Sequence, residues 1–289
     1  MTVGELVREA AARLRAAGLP TPEVDARRIV ERAAGLEPSE YHASVDQPAT
    51  RRTVGFFDQM LARRERGEPL QYVVGRWSFR TLELLVDPRV LIPRPETEVV
   101  VEHALSEARR LAARTIADLG TGSGAIALAM AAELGPEVEV WATDRSADAL
   151  AVARANLAGI GRAATRVRLV EGNWFAALPP ELRGRIDLVV SNPPYVAEAD
   201  EVPAEVVDWE PRGALIAGPT GTEAIERIVA DALTWLARPG VLVVEIAPHQ
   251  AERAVELARA AGFHEASVEP DLTGRPRVVL AYLMDERRP

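Results

Sequence analysis

Between Thr115 and Ile246, short β-branched runs alternate with stretches whose apolar residues recur at helical spacing, and few folds accept that alternation. Strand, helix and strand in succession mark a parallel sheet with helices packed on its faces. The runs that read as strands are Thr115 to Leu119, Val138 to Thr143, Val167 to Glu171, Ile186 to Ser191 and Val241 to Ile246. The fourth is β-branched and charged only near its start, as a strand buried in such a sheet is. Between them, Ala125 to Ala132 is almost wholly apolar and belongs against the sheet. Ile225, Ile228, Val229, Ala232 and Leu236 form a one-sided helical stripe. Nearer the C-terminus, Gly262 to Glu269 and Arg277 to Leu283 flank a turn containing proline and glycine, which predicts a closing antiparallel pair. The expected fold is α/β, a doubly wound and mostly parallel sheet.

The chain before this region follows another rule. Val3, Leu6, Val7, Ala10 and Leu14 recur at helical spacing up to Gly18 and Pro20. Thr21 is placed to cap a second helix, with Pro22 in its first turn and Ala26, Ile29, Val30 and Ala33 as its stripe. A third helix starts near Thr50, carries Val54, Phe57 and Leu61, and runs to Gly67. In its last turn Arg63, Arg64 and Arg66, interleaved with Glu65, read as a solvated face. Residues 1–68 thus form a small helical domain, suited either to docking a partner or to packing on the main domain. From 69 to 94 the apolar runs Tyr72 to Val74, Trp77 to Val86 and Val90 to Ile92 predict a connecting β-hairpin. Pro93 to Glu98 is then held extended by its prolines and leads into a helix bearing Val101, Ala104, Leu105, Ala108 and Leu111. Its acidic residues suit the positive end of that helix. Residues 95–289 make up the main domain.

The chemistry concentrates where strands end. Asp118-Leu119-Gly120-Thr121-Gly122-Ser123-Gly124 joins the first parallel strand to its helix, and three glycines let the backbone turn sharply and approach a ligand closely. The loop lacks the Lys-Ser/Thr of a P-loop, and its glycine spacing is not that of a dinucleotide fingerprint. The next strand ends in Thr143-Asp144, about twenty residues on, where a carboxylate can accept both hydroxyls of a ribose. Ser146 is placed to cap the helix that follows, which leaves Asp144 for a ligand. At the third strand's end Asn173 offers an amide to an adenine edge, and Trp174 either packs in the core or offers its ring. The fourth strand is stopped by Asn192-Pro193-Pro194-Tyr195. Two prolines leave only carbonyl acceptors on the backbone, Asn192 adds another oxygen and Tyr195 a flat ring. Such a cluster can hold a planar NH2 group by both hydrogens, although Pro-Pro alone also fits a plain strand-ending turn. Ribose and adenine without pyrophosphate, beside a pocket for an amine or amide, is the set these residues describe.

Three segments, Leu91 to Glu98, Asp118 to Leu128 and Ser191 to Tyr195, resemble the S-adenosylmethionine-dependent protein glutamine N5-methyltransferases of class I peptide chain release factors, the HemK/PrmC family. The resemblance covers nearly the whole chain. It implies a Rossmann-like sheet of about seven strands with a reversed last strand, and an N-terminal helical domain that recognises the release factor. It implies that Gly120, Thr121, Gly122, Ser123, Gly124, Asp144, Asn173, Trp174 and Asn192 contact S-adenosyl-L-methionine, with S-adenosyl-L-homocysteine as product. Asn192, Pro193, Pro194 and Tyr195 then hold the glutamine amide of the Gly-Gly-Gln tip for methylation in translation termination. The sequence departs from the family pattern at Asn173, usually Asp, at Ala217 and Thr220, usually Gly and Asp, and at Ala247, usually Gly. These changes bear on the identity of the substrate more than on the cofactor.

Two other readings stay open. Asn-Pro-Pro-Tyr is shared with adenine-N6 methyltransferases of DNA or RNA, and a cofactor-binding module without catalysis could use the helical domain to dock a partner. A net charge of −9 without a basic tract counts against a large nucleic-acid footprint. With no cysteine and four histidines lacking ligand spacing, no metal is expected. No apolar run approaches membrane-spanning length and no leader pattern opens the chain, so a cytoplasmic protein is expected; separately, a monomer is expected.

Overall fold

A computed structural model describes residues 1–285, so the last four residues assigned to the main domain lie outside the described residues. The described residues divide into two compact units: Met1–Trp77 with Pro203–Trp209, and Ser78–Val202 with the described residues from Glu210 onward.

The first unit is helical: α1 (Val3–Ala16), α2 (Pro22–Ala34), α3 (Tyr41–Ser44), α4 (Arg51–Glu65), α5 (Leu70–Val74) and, from the later segment, α9 (Ala204–Trp209). Thr2 and Glu5 close the start of α1 reciprocally, each side chain accepting from the other's backbone N–H. Leu6, Leu14, Ile29, Phe57 and Leu61 are fully buried in its core. Three expectations are corrected here. Arg64 is buried, and its Nε donates to the buried Asp25 Oδ2 at 2.7 Å while Nη1 donates to Glu205 Oε1 at 2.8 Å. Arg63 in turn donates to Glu68 and to the carbonyls of Tyr72 and Val73, so this turn of α4 is not a free solvated face. Thr21 makes no side-chain cap bond; its hydroxyl instead donates to Asp25 Oδ1 at 2.8 Å and gives that buried carboxylate a second partner. Finally, residues 70–74 are helix and not strand. Leu70, Val73 and Val74 join the helical core, a choice that so short an apolar run cannot reveal by periodicity. The hairpin is accordingly shorter, β1 (Arg76–Phe79) with β2 (Leu82–Leu85), and 90–92 is irregular.

The second unit is a seven-stranded sheet in the order β10-β11-β9-β6-β3-β4-β5. Its strands are β3 (Thr115–Leu119), β4 (Glu139–Asp144), β5 (Val167–Glu171), β6 (Ile186–Ser191), β9 (Leu236–Glu245), β10 (Glu265–Pro270) and β11 (Pro276–Leu283). Neighbours from β5 to β9 are parallel, and β11 runs against both β9 and β10, as the alternation and the closing pair predict. Successive side chains of a strand go to opposite faces. Leu188, Val190, Val241 and Val243 meet α6 (Pro95–Leu111) and α7 (Ala125–Glu133) on one face. Val189, Leu242 and Val244 meet α11 (Glu223–Trp235) and α12 (Ala251–Ala261) on the other. Two small pieces complete this unit: α10 (Arg212–Leu215), and the parallel pair of β7 (Val196–Ala197) with β8 (Ile216–Gly218), while α8 (Ala147–Leu157) follows β4.

Register then aligns the strand ends. Leu119 lies opposite both Thr143 and Ser191, Ser191 opposite Val244, and Asp144 opposite Glu171. Gly120, Asp144, Gly172, Asn192 and Glu245 therefore emerge along one edge. Gly120 and Asn192 follow β3 and β6, between which the strand order reverses, the place where open α/β sheets bind ligands.

Candidate active site

A cavity of about 460 Å³ opens at that edge, within the roughly 300–1,000 Å³ usual for small-molecule sites. Gly120, Gly122, Asp144, Asn173, Trp174, Asn192 and Pro194 line it, together with residues 89–91 and parts of 211–224. Every lining residue belongs to the second unit.

The glycine loop is anchored by Gly120 N and Thr121 N, both donating to Thr143 O at 2.9 Å. Gly120 has φ +74°, and a Cβ there would come within 3.0 Å of the Trp174 ring. Glycine is required twice over at this position, by conformation and by the indole beside it. Trp174 itself adopts φ +49°, and half-buried it forms part of the cavity wall and also packs on the core. Asp144 Oδ2 accepts from Gly122 N and Oδ1 from Ser146 N, each at 2.9 Å. Ser146 caps α8, its hydroxyl accepting from Ala149 N at 3.1 Å. A carboxylate pinned by one amide on each oxygen keeps further lone pairs for a ligand's hydroxyls.

Below the loop, Asp118 is fully buried. Its Oδ2 accepts from the Thr121 hydroxyl at 2.6 Å and from Ala127 N at 3.1 Å, while Oδ1 has no partner. Burial pushes this carboxyl up to about 7. Thr121 thus turns its hydroxyl inward, and Ser123, also buried, receives Asn156 Nδ2 on its carbonyl at 2.9 Å. Thr121, Ser123, Gly124, Pro193 and Tyr195 are not among the residues that line the cavity.

The far end is built on Asn192. Its Nδ2 donates to Thr97 Oγ1 at 3.0 Å, and the Thr97 hydroxyl donates to Glu245 Oε2 at 2.7 Å. Tyr195 OH makes a long contact of 3.5 Å with the other oxygen of Glu245. Glu245 is buried, which raises its carboxyl to about 7, and burial beside Glu245 raises Tyr195 to about 12, so the phenol keeps its proton. Gln250 Nε2 donates to Tyr195 O at 3.0 Å and to Gly221 O at 2.9 Å. Gly221 approaches so closely that a Cβ would lie 2.8 Å from Tyr195 O. Glu210 accepts from Ile92 N at 3.0 Å and from Arg94, tying the proline segment to the cavity wall.

Sequence reasoning singled out none of Thr97, Glu210, Glu245 or Gln250 as a site residue. Thr97 lies within Leu91 to Glu98 and Glu245 within the run Val241 to Ile246, while Glu210 and Gln250 fall outside both, and none of the four carries a local signal of its partners.

Residues 5–75 match a family model described as the PrmC N-terminal domain, and residues 96–208 one described as the methyltransferase small domain. A release factor glutamine methyltransferase of Moorella thermoacetica is 41% identical over 290 residues, covering 99% of this chain and 100% of that protein. One of Deinococcus radiodurans is 39% identical over 282 residues, covering 97% of this chain and 98% of that protein. Among solved structures, the catalytic domain of hMettl16 in complex with a MAT2A 3'UTR hairpin superposes with a TM-score of 0.55 at 19% identity, over 80% of this chain and 84% of that one. That last likeness is one of fold.

Proposed function

The chain belongs to the family of release factor glutamine methyltransferases, and on that premise we propose that it methylates the side-chain nitrogen, N5, of the glutamine in the Gly-Gly-Gln tip of a class I peptide chain release factor. The observation that carries the reading is that Asn192 and Pro194 share one cavity wall with Gly120, Gly122 and Asp144. An amide-orienting cluster and a nucleoside-sized cradle then face the same space.

S-adenosyl-L-methionine, when bound, supplies a methyl group activated on a sulfonium. The residues present fit it. Gly120 and Gly122 leave room that side chains would fill, Asp144 keeps lone pairs for ribose hydroxyls, and Asn173 and Trp174 offer an amide and a ring to adenine. Thr121, Ser123 and Gly124 contribute through the course of the loop's backbone and not through their side chains. Among the described residues no cluster of His, Asp or Glu is arranged to hold a metal.

An amide nitrogen is a weak nucleophile, since its lone pair is delocalised, so alignment is the protein's main contribution. The Asn192 side-chain oxygen and the Pro193 carbonyl accept the two hydrogens of the glutamine NH2, aim its lone pair and favour the charge that develops on nitrogen. Pro194, on the cavity wall, holds the turn; Pro193 and Tyr195 do not line the cavity, and their roles, a carbonyl acceptor and a ring on the amide plane, are assigned from the family resemblance. No general base acts before attack, and the proton leaves afterwards to water. The helical unit, residues 1–77 with 203–209, is the part we assign to recognising the release factor. Among the described residues no helix is long and apolar enough to cross a membrane; we take the enzyme to act in the cytoplasm as a monomer.

Incubation with labelled S-adenosyl-L-methionine and a purified release factor tests this. Label on the glutamine is expected. Label on nucleic acid instead, or cofactor binding without any transfer, overturns the proposal.

A further inference from the structure

We propose that Thr97 is a positioning residue for methyl transfer: together with Glu245 it dictates which end of the Asn192 carboxamide faces the substrate. The inference rests on the functional reading above and deepens it.

A primary amide has an accepting end and a donating end of nearly the same shape, so packing alone leaves Asn192 free to turn over. Hydrogen bonding removes that freedom. The Thr97 hydroxyl has one hydrogen, and it goes to Glu245 Oε2 at 2.7 Å. Only lone pairs remain to meet Asn192, whose Nδ2 donates to them at 3.0 Å. Turned over, Asn192 would press its own oxygen against those lone pairs, acceptor against acceptor. The carboxylate of Glu245 cannot reverse the chain, because it only accepts. With Glu245 1% exposed and Thr97 3% exposed, water is not at hand to relieve the mismatch. The accepting end of Asn192 is thus the one left for the NH2 group of the glutamine.

Thr97→Val keeps the shape and removes the hydroxyl. Assayed on release factor above the titration range of Glu245, it should lower kcat by about ten- to a hundredfold, with cofactor affinity by calorimetry unchanged. Thr97→Ser should restore most of the loss. In an Asn192→Ala background Thr97→Val should add nothing, which a merely structural role would not produce. Should Thr97→Val fail to bind cofactor, Thr97→Ala is read the same way. Wild-type kcat in the variant, or an equal further loss in the Asn192→Ala background, overturns the inference. A wild-type enzyme that leaves the release factor unlabelled overturns the functional reading itself, and this inference with it.

Discussion

Asn192 and Asp144 sit at the ends of two strands and have different jobs, which single substitutions separate. Asn192→Ala removes an acceptor that matters as charge develops on nitrogen, so kcat should fall by about 10²- to 10³-fold while calorimetric affinity for S-adenosyl-L-methionine holds. Asp144→Ala removes charge-assisted bonds to the ribose and should weaken cofactor affinity by about ten- to a hundredfold in the same titration. Glu245 yields a pH prediction. Burial raises its carboxyl to about 7 from an ordinary value of 4.5, so the folded protein binds this proton more tightly than the unfolded chain does. Its effect on stability is absent below the ordinary range, grows unfavourable as pH rises towards 7, and is constant above. The loss amounts to at most about 3 kcal/mol, and Glu245→Gln should flatten the pH dependence of urea unfolding across that window by a like amount. At this scale the sequence was legible where function demands a run: the glycines and Asn-Pro-Pro-Tyr announce themselves by local spacing. Thr97, Asn192 and Glu245 come together across separations of 95 and 148 residues, and no local pattern encodes that meeting.

The elements were legible in proportion to their length and to the clarity of their stops. β3, β5 and β6 fall where β-branched runs meet glycine, charge or proline, and the stripes of α1, α2 and α11 are long enough for their period to decide. Leu236, expected in the last stripe, instead opens β9, and Pro95 to Glu98, expected to be extended, already form the first turn of α6. Residues 70–74 were not, because five residues fit either period and the neighbouring helices settle the matter. Arg64 was misread for a related reason. A charge run describes a face, whereas burial of one member depends on Asp25, 39 residues away. An element-level test lies in α8. Asn156 Oδ1 accepts from Leu85 N at 2.6 Å, and Nδ2 donates to Leu85 O at 3.0 Å and Ser123 O at 2.9 Å, so one side chain steadies both β2 and the glycine loop. Asn156→Ala leaves those backbone groups without it and should destabilise the protein by about 1–3 kcal/mol in chemical denaturation.

For the molecule as a whole, the division into two units makes stability and cofactor binding separable. Asp25→Ala removes the buried one of the two carboxylates that Arg64 meets and leaves Glu205, which should cost about 1.5–3 kcal/mol in unfolding of that unit. Affinity for S-adenosyl-L-methionine should stay within about twofold, since the cavity wall is drawn from the other unit alone, and calorimetry on the folded variant checks this. The course of the chain has a practical corollary. The helical unit is assembled from two stretches, Met1–Trp77 and Pro203–Trp209, and Glu205 of the second is held by Arg64 of the first. Trimming the N-terminus at Ser78 would therefore not liberate an intact catalytic fragment. It would leave an orphaned insert between Val202 and Glu210, immediately ahead of residues that wall the cavity, and any minimal version of this enzyme would need that insert excised and its ends rejoined.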